Sequence, residues 1–214
     1  KLSVASTCRS AGGKGISLRG DIVKEAKVTN LGGVETGGDT IQTTISSLTL
    51  VNNVENLTYL GPKNFAGTGN SGSNHILGGD SKDVLVGLGG SDTLEGGLGK
   101  DVLTGGSSAD VFVFSSALGG TNIDAITDFN VTQDTIWLTK SGAGMFNTLT
   151  KGDLSVNGFK VIGDGDLDGN DRILYDSATG KIFYDADGSG GVEKVLFATV
   201  AAGTVLTEAD FFVI

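Results

Sequence analysis

Five acid or amide side chains stand nine residues apart in the middle of this chain: Asn74, Asp83, Asp92, Asp101 and Asp110. Two positions after each comes a large apolar residue, namely Ile76, Leu85, Leu94, Leu103 and Phe112. The series runs without a gap from Gly69 to Val113, as GNSGSNHIL, GGDSKDVLV, GLGGSDTLE, GGLGKDVLT and GGSSADVFV. Rows of carboxylates in glycine-rich chain suit a hard cation bound through oxygen. Glycines at Gly78, Gly79, Gly90, Gly97, Gly99 and Gly106, with Ser108 in one such slot, let the backbone reach positive φ and aim carbonyls at one point. Such carbonyls, with one carboxylate from each of two adjacent turns, offer about six oxygens, which is a calcium shell. Zinc or copper would ask for histidine or cysteine, and the single His75 and single Cys8 form no cluster. The alternative is a glycine-rich solenoid without metal, in which like-charged aspartates would stack with no counter-charge at considerable cost.

A repeat at a fixed period decides the architecture. Six residues of turn followed by a three-residue strand, with the middle side chain inward, make half a coil. Turns on the same edge then lie 18 residues apart, so Asp83 sits beside Asp101, Asp92 beside Asp110, and Asn74 beside Asp92. The fold class is therefore all-β, a parallel β-roll with several Ca²⁺ ions between turns, followed by an antiparallel β region. Asn74 carries no charge and should weaken the first site.

These nonapeptides resemble the RTX calcium-binding repeats. Gly96 to Thr104 matches the pattern fully, whereas Leu88, Ser81, Ser108 and Asn74 depart from it. The resemblance implies a calcium-binding roll of a type I-secreted bacterial protein, similar to the C-terminal part of serralysin-like proteases and haemolysin-type calcium-binding proteins. Downstream, DAITDFNVTQDTIWL (residues 124–138) resembles the stretch that closes the roll in serralysin-like proteins. That implies Asp124 as a calcium ligand at the roll's end, with Asp128 and Asp134 satisfying turns; the plainer reading makes all three solvated. The last residues, 206–214, place an acidic residue before four apolar ones and resemble the uncleaved signal read by type I ABC export machinery. They also read as a final core strand.

On this basis the chain divides into an unassigned segment (1–19), irregular coils that extend or cap the roll (20–68), the nonapeptide roll (69–113) and a C-terminal β region (114–214). Val54, Leu57 and Tyr59 read as continued core, and Asn64-Phe65-Ala66 as a loose coil with one extra residue. Trp137 reads as core and His75 as an outward strand residue. Residues 173–185 read as a hairpin through Ala178-Thr179-Gly180. The acidic loops GDGDLDGND (163–171) and DADGSGGVE (185–193) have the flavour of calcium loops but lack the rest of that motif, and read first as solvated turns.

Composition agrees. Glycine supplies 36 residues and proline one, which suits repeated tight turns rather than a proline-rich linker. The formal charge of −10 disfavours nucleic acid and anionic lipid as partners. A single cysteine allows no intrachain disulfide. No stretch approaches a membrane span, and residues 1–20 show no signal peptide. One histidine leaves no HExxH site and no credible Ser-His-Asp triad, and no P-loop is present, so the chain reads as non-catalytic. Three functions follow as expectations. The first is an extracellular module that folds on calcium and supports export of a larger protein. The second is a surface adhesin, surface-layer or filament subunit, with self-association. The third is the tail of an exported protease, lipase or polysaccharide epimerase.

Overall fold

The computed structural model describes residues 38–140, 145–188 and 190–214, together with the strands Thr7–Arg9, Gly15–Ser17 and Ala26–Thr29. The unassigned segment 1–19, apart from two of those strands, lies outside the described residues, as do residues 20–25 and 30–37 of the expected coils at 20–68. Among the described residues there is no α-helix, only two short 3-10 turns at Val156–Gly158 and Glu208–Asp210.

The alternating turn-and-strand pattern builds two nine-stranded sheets that face one another. One carries Thr40–Thr43, Asn56–Tyr59, His75–Leu77, Thr93–Glu95, Val111–Phe114 and Thr135–Leu138 side by side, all parallel. The other carries Ser47–Thr49, Ala66–Thr68, Val84–Gly89, Val102–Ser107 and Asp124–Ile126, also parallel. Consecutive strands alternate between the sheets, so the chain climbs as a parallel β-roll. Such a roll needs crossovers far shorter than a helix, and glycine-rich turns supply them. Phe65 fills the slot nine residues before Asn74, with Ala66 registered on Val84, so that coil has no extra residue. The departure there is a ring in place of a carboxylate.

Inward positions form two apolar columns. Ile41, Leu57, Ile76, Leu94, Phe112, Ile136 and Phe211 line one sheet, and Leu85, Leu103 and Ile126 the other, all buried. Each buried aliphatic side chain contributes about 1.5–3 kcal/mol. Gly67 leaves a gap in the second column that the Phe65 ring occupies, stacked on Tyr59 at 4.5 Å. His75 is exposed, as its strand position requires. Trp137 does not join the core: it lies on the outer face beside Phe212, at 5.8 Å between rings, because the period of two puts Ile136 and Leu138 inside.

The last hundred residues extend both sheets. Val195–Thr199 pairs in parallel with Asp124–Ile126, and Phe211–Val213 with Thr135–Leu138. The antiparallel hairpin Ile173–Asp176 and Lys181–Tyr184 then continues the second sheet. Its core is aromatic, with Phe146 set edge-on to both Tyr184 and Phe197, at 5.2 and 5.0 Å.

Candidate metal centre

Each turn ends on the residue that precedes an inward strand, and its side chain folds back toward the neighbouring coil. Asp92 Oδ1 accepts the Asn74 backbone N–H at 2.7 Å, and Asp110 Oδ1 accepts that of Asp92 at 2.8 Å. On the opposite edge Asp83 Oδ1 accepts from Phe65 N at 2.8 Å, and Asp101 Oδ1 from Asp83 N at 2.7 Å. The 18-residue stagger thus brings together the pairs the spacing implies. Two further aspartates lengthen the rows. Asp124 Oδ1 accepts from Asp101 N, and Asp134 Oδ1 from Asp110 N, both at 2.9 Å. Sequence reasoning left Asp134 as a turn residue. The signal for it was the aspartate two places before Ile136, the same offset as in every nonapeptide. Asp128 does serve a turn, accepting the Gly105 and Gly106 backbone N–H groups at 3.0 and 2.8 Å.

All the row members are buried: Asp83 and Asp101 are 0 % exposed, Asp92 and Asp110 1 %, Asn74 and Asp124 4 %. Burial, aided by facing carboxylates, pushes Asp92 and Asp101 up to about 7 and Asp124 up to about 6. Asp83, Asp110 and Asp134 are raised for the same first reason. The second oxygens of Asp92, Asp101 and Asp110 are buried and have no hydrogen-bond partner at all. A buried, unpaired carboxylate oxygen is among the costliest things a fold can hold.

The surroundings fit a cation. A Cβ on Gly87 would meet both Asp92 Oδ2 and the Gly105 carbonyl oxygen, so these two oxygens converge on one space. On Gly96 and Gly105 it would meet the Oδ2 of Asp101 and Asp110. Glycine is required there because any side chain would fill that space. Among the described residues no three His, Cys, Asp or Glu side chains gather as a metal site. The donor set instead joins a carboxylate to main-chain oxygens, which suits calcium rather than zinc.

A Cβ on Gly78 would meet the Gly96 carbonyl oxygen and Asp83 Oδ2, as at Gly87, and Gly79 donates its N–H to Asp83 Oδ2. Gly90, Gly97, Gly99, Gly106 and Ser108 all have positive φ. In the acidic loops at 163–171 and 185–193, Asp171 Oδ2 accepts from Asp168 N, and Asp185 Oδ1 from Asp187 N and Gly188 N, while Asp187 Oδ1 is buried without a partner. Asp164, Asp166 and Asp168 are exposed.

A parallel β-roll with rows of turn carboxylates and glycine-formed spaces between coils is the architecture of a cation-binding β-solenoid. Residues 68–103 and 86–116 match the RTX calcium-binding nonapeptide repeat (4 copies), so the central roll consists of RTX calcium-binding repeats. Among solved structures the chain is similar to the AlgE6R3 subunit from the Azotobacter vinelandii mannuronan C5-epimerase, known in solution. The identity is 28%, over 70% of this chain and 77% of that one, with a TM-score of 0.41. No curated protein matches the chain. No helix among the described residues is long and apolar enough to cross a membrane.

Proposed function

We propose that this chain is a calcium-driven folding module of an exported, extracellular protein. The observation that carries the reading is the set of three buried, unpartnered carboxylate oxygens, at Asp92, Asp101 and Asp110, within RTX repeats. Without a cation these groups oppose the folded state; with one they hold adjacent coils together. Asp92, Asp101 and Asp110 would hold the ions, with main-chain oxygens of the facing turns, Gly105 among them, completing the shells. The bound Ca²⁺ supplies the counter-charge, and the chain's own glycines supply the approach.

Linkage sets the scale. Extracellular calcium sites have Kd on the order of 10⁻⁴ to 10⁻³ M. A site filled at about ten times Kd adds about 1.4 kcal/mol, so three add about 4 kcal/mol, a large share of an ordinary domain's stability. Such a module stays open in calcium-poor cytosol and closes outside the cell. The acidic-then-apolar pattern of residues 206–214 supports recognition by type I export machinery, and the strand formed by Phe211–Val213 is compatible with it. Its role on this reading is to bind calcium and to fold, with no chemistry of its own.

The test is far-UV circular dichroism of the chain titrated with Ca²⁺ after chelation, with Mg²⁺ as control. A steep gain of β-structure specific to calcium is expected. A roll already formed in chelator and indifferent to calcium would overturn the reading.

A further inference from the structure

Six turns of the roll are of two kinds; the longer turn ending in Asp124, with positive φ at Gly119 and Gly120, belongs to neither. In the turns ending in Asn74, Asp83 and Asp134, the backbone N–H four residues before the end reaches to the turn's own terminal side chain. Asn70 N donates to Asn74 Oδ1 at 2.7 Å, Gly79 N to Asp83 Oδ2 at 2.6 Å, and Asn130 N to Asp134 Oδ2 at 2.8 Å, the last turn being one residue longer. These turns are closed without metal. In the turns ending in Asp92, Asp101 and Asp110 the second position has φ of +82° at Leu88, +98° at Gly97 and +109° at Gly106. The fourth position is also positive, +92° at Gly90, +141° at Gly99 and +87° at Ser108. These are the three turns whose Oδ2 is buried and unpartnered. In the last of them the Gly106 N–H is diverted to Asp128 Oδ2 and so is lost to Asp110.

Leu88 and Ser108 make the distinction sharp. Positive φ costs an L-residue about 1–2 kcal/mol, so the open shape is not simply what glycine-rich chain adopts. Conversely Gly79 is free to take positive φ and does not. The open shape therefore follows the site and not the residue type.

We propose that calcium enters only the three open turns, one ion for each of Asp92, Asp101 and Asp110, and that the turns at Asn74, Asp83 and Asp134 are metal-independent closures in which a backbone N–H stands where the ion would be. This rests on the calcium reading above and adds to it a stoichiometry and a division of labour. Asp83 sits in a nonapeptide as acidic as its neighbours, yet it serves as the start of the stack rather than as a metal ligand. Closed turns lie on both sides of the open ones along the edge running from Asn74 to Asp134, so the register is set before any ion binds.

Native mass spectrometry of the full chain with Ca²⁺, paired with calorimetric titration, tests this. Three ions are expected on the wild type, two on Asp101→Asn and three on Asp83→Asn. Four or more ions on the wild type, or the loss of one in Asp83→Asn, would overturn the assignment while leaving the calcium reading in place. No ion at all would sink both. The wild-type count decides even if a variant fails to fold.

Discussion

The nonapeptide roll and the C-terminal region share two continuous sheets but are stabilised by different means. In the roll each nonapeptide puts a large apolar side chain inward, and the turns hold stacked carboxylates, three of them with an unpartnered oxygen. In the C-terminal region Phe146, Phe197 and Tyr184 interlock, and the Tyr175 hydroxyl donates to the Thr204 carbonyl at 2.7 Å. Its buried acids Asp171, Asp185 and Asp210 accept from N–H groups of their own loops. The backbone ladder and the apolar core continue unbroken across the junction, while the rows of unpartnered turn carboxylates stop there.

Chelation should break this comparison most visibly. Hydrogen exchange in EDTA is expected to lose protection at residues 84–113, by about 4 kcal/mol if three ions act independently, while residues 173–199 keep theirs. Equal loss in both regions would mean that they form one cooperative unit. Next in size is Asp101→Ala, which removes one ion's contribution and leaves the Asp83 N–H without its acceptor. A cost of about 2–4 kcal/mol is expected in calcium, against about 1 kcal/mol for Asn74→Ala at the roll's N-terminal end, read from denaturant midpoints. Equal midpoints in the two variants would contradict the stacked arrangement.

The two regions should also differ in their response to acid. Asp92 and Asp101 are raised to about 7 in the folded state from an ordinary 3.8, chiefly by burial. The folded roll thus holds more protons than the unfolded chain between about pH 4 and 7, and in chelator it gains stability as pH falls through that window. Asp176, held down by the Thr179 hydroxyl, has the opposite sign, so the C-terminal hairpin loses a little as pH falls through its lowered folded value. Far-UV circular dichroism in EDTA should show β-structure that is missing at pH 8 appearing as the pH falls to 5. With calcium present the trend reverses for the roll, since protons then compete with the ion. The smallest effect is expected from Leu88→Gly, which relieves the positive φ and should stabilise the calcium form by about 1 kcal/mol.

The sheets, the inward columns and the pairing of aspartates across coils were legible because a fixed period of nine leaves one way to alternate strands. Asp134 escaped because the turn before it is one residue longer, so counting by nine runs out of step even though the D-x-I signature survives. Trp137 was misread from its bulk: residue type suggested core, but alternation within Thr135–Leu138 puts it outside. The distinction between open and closed turns was invisible, since GGDSKD and GGLGKD differ in ways that do not by themselves dictate φ.

The alternation of coils between two sheets also fixes how this protein can change length. Removing a single nonapeptide, such as Gly96 to Thr104, would keep every local motif intact yet move each later strand to the opposite sheet. The strands at Val195–Thr199 and Phe211–Val213 would then meet the wrong partners. Only pairs of repeats, 18 residues at a time, can be gained or lost in register. The rod therefore grows in steps of one whole coil, and natural variation in its length should come in that unit.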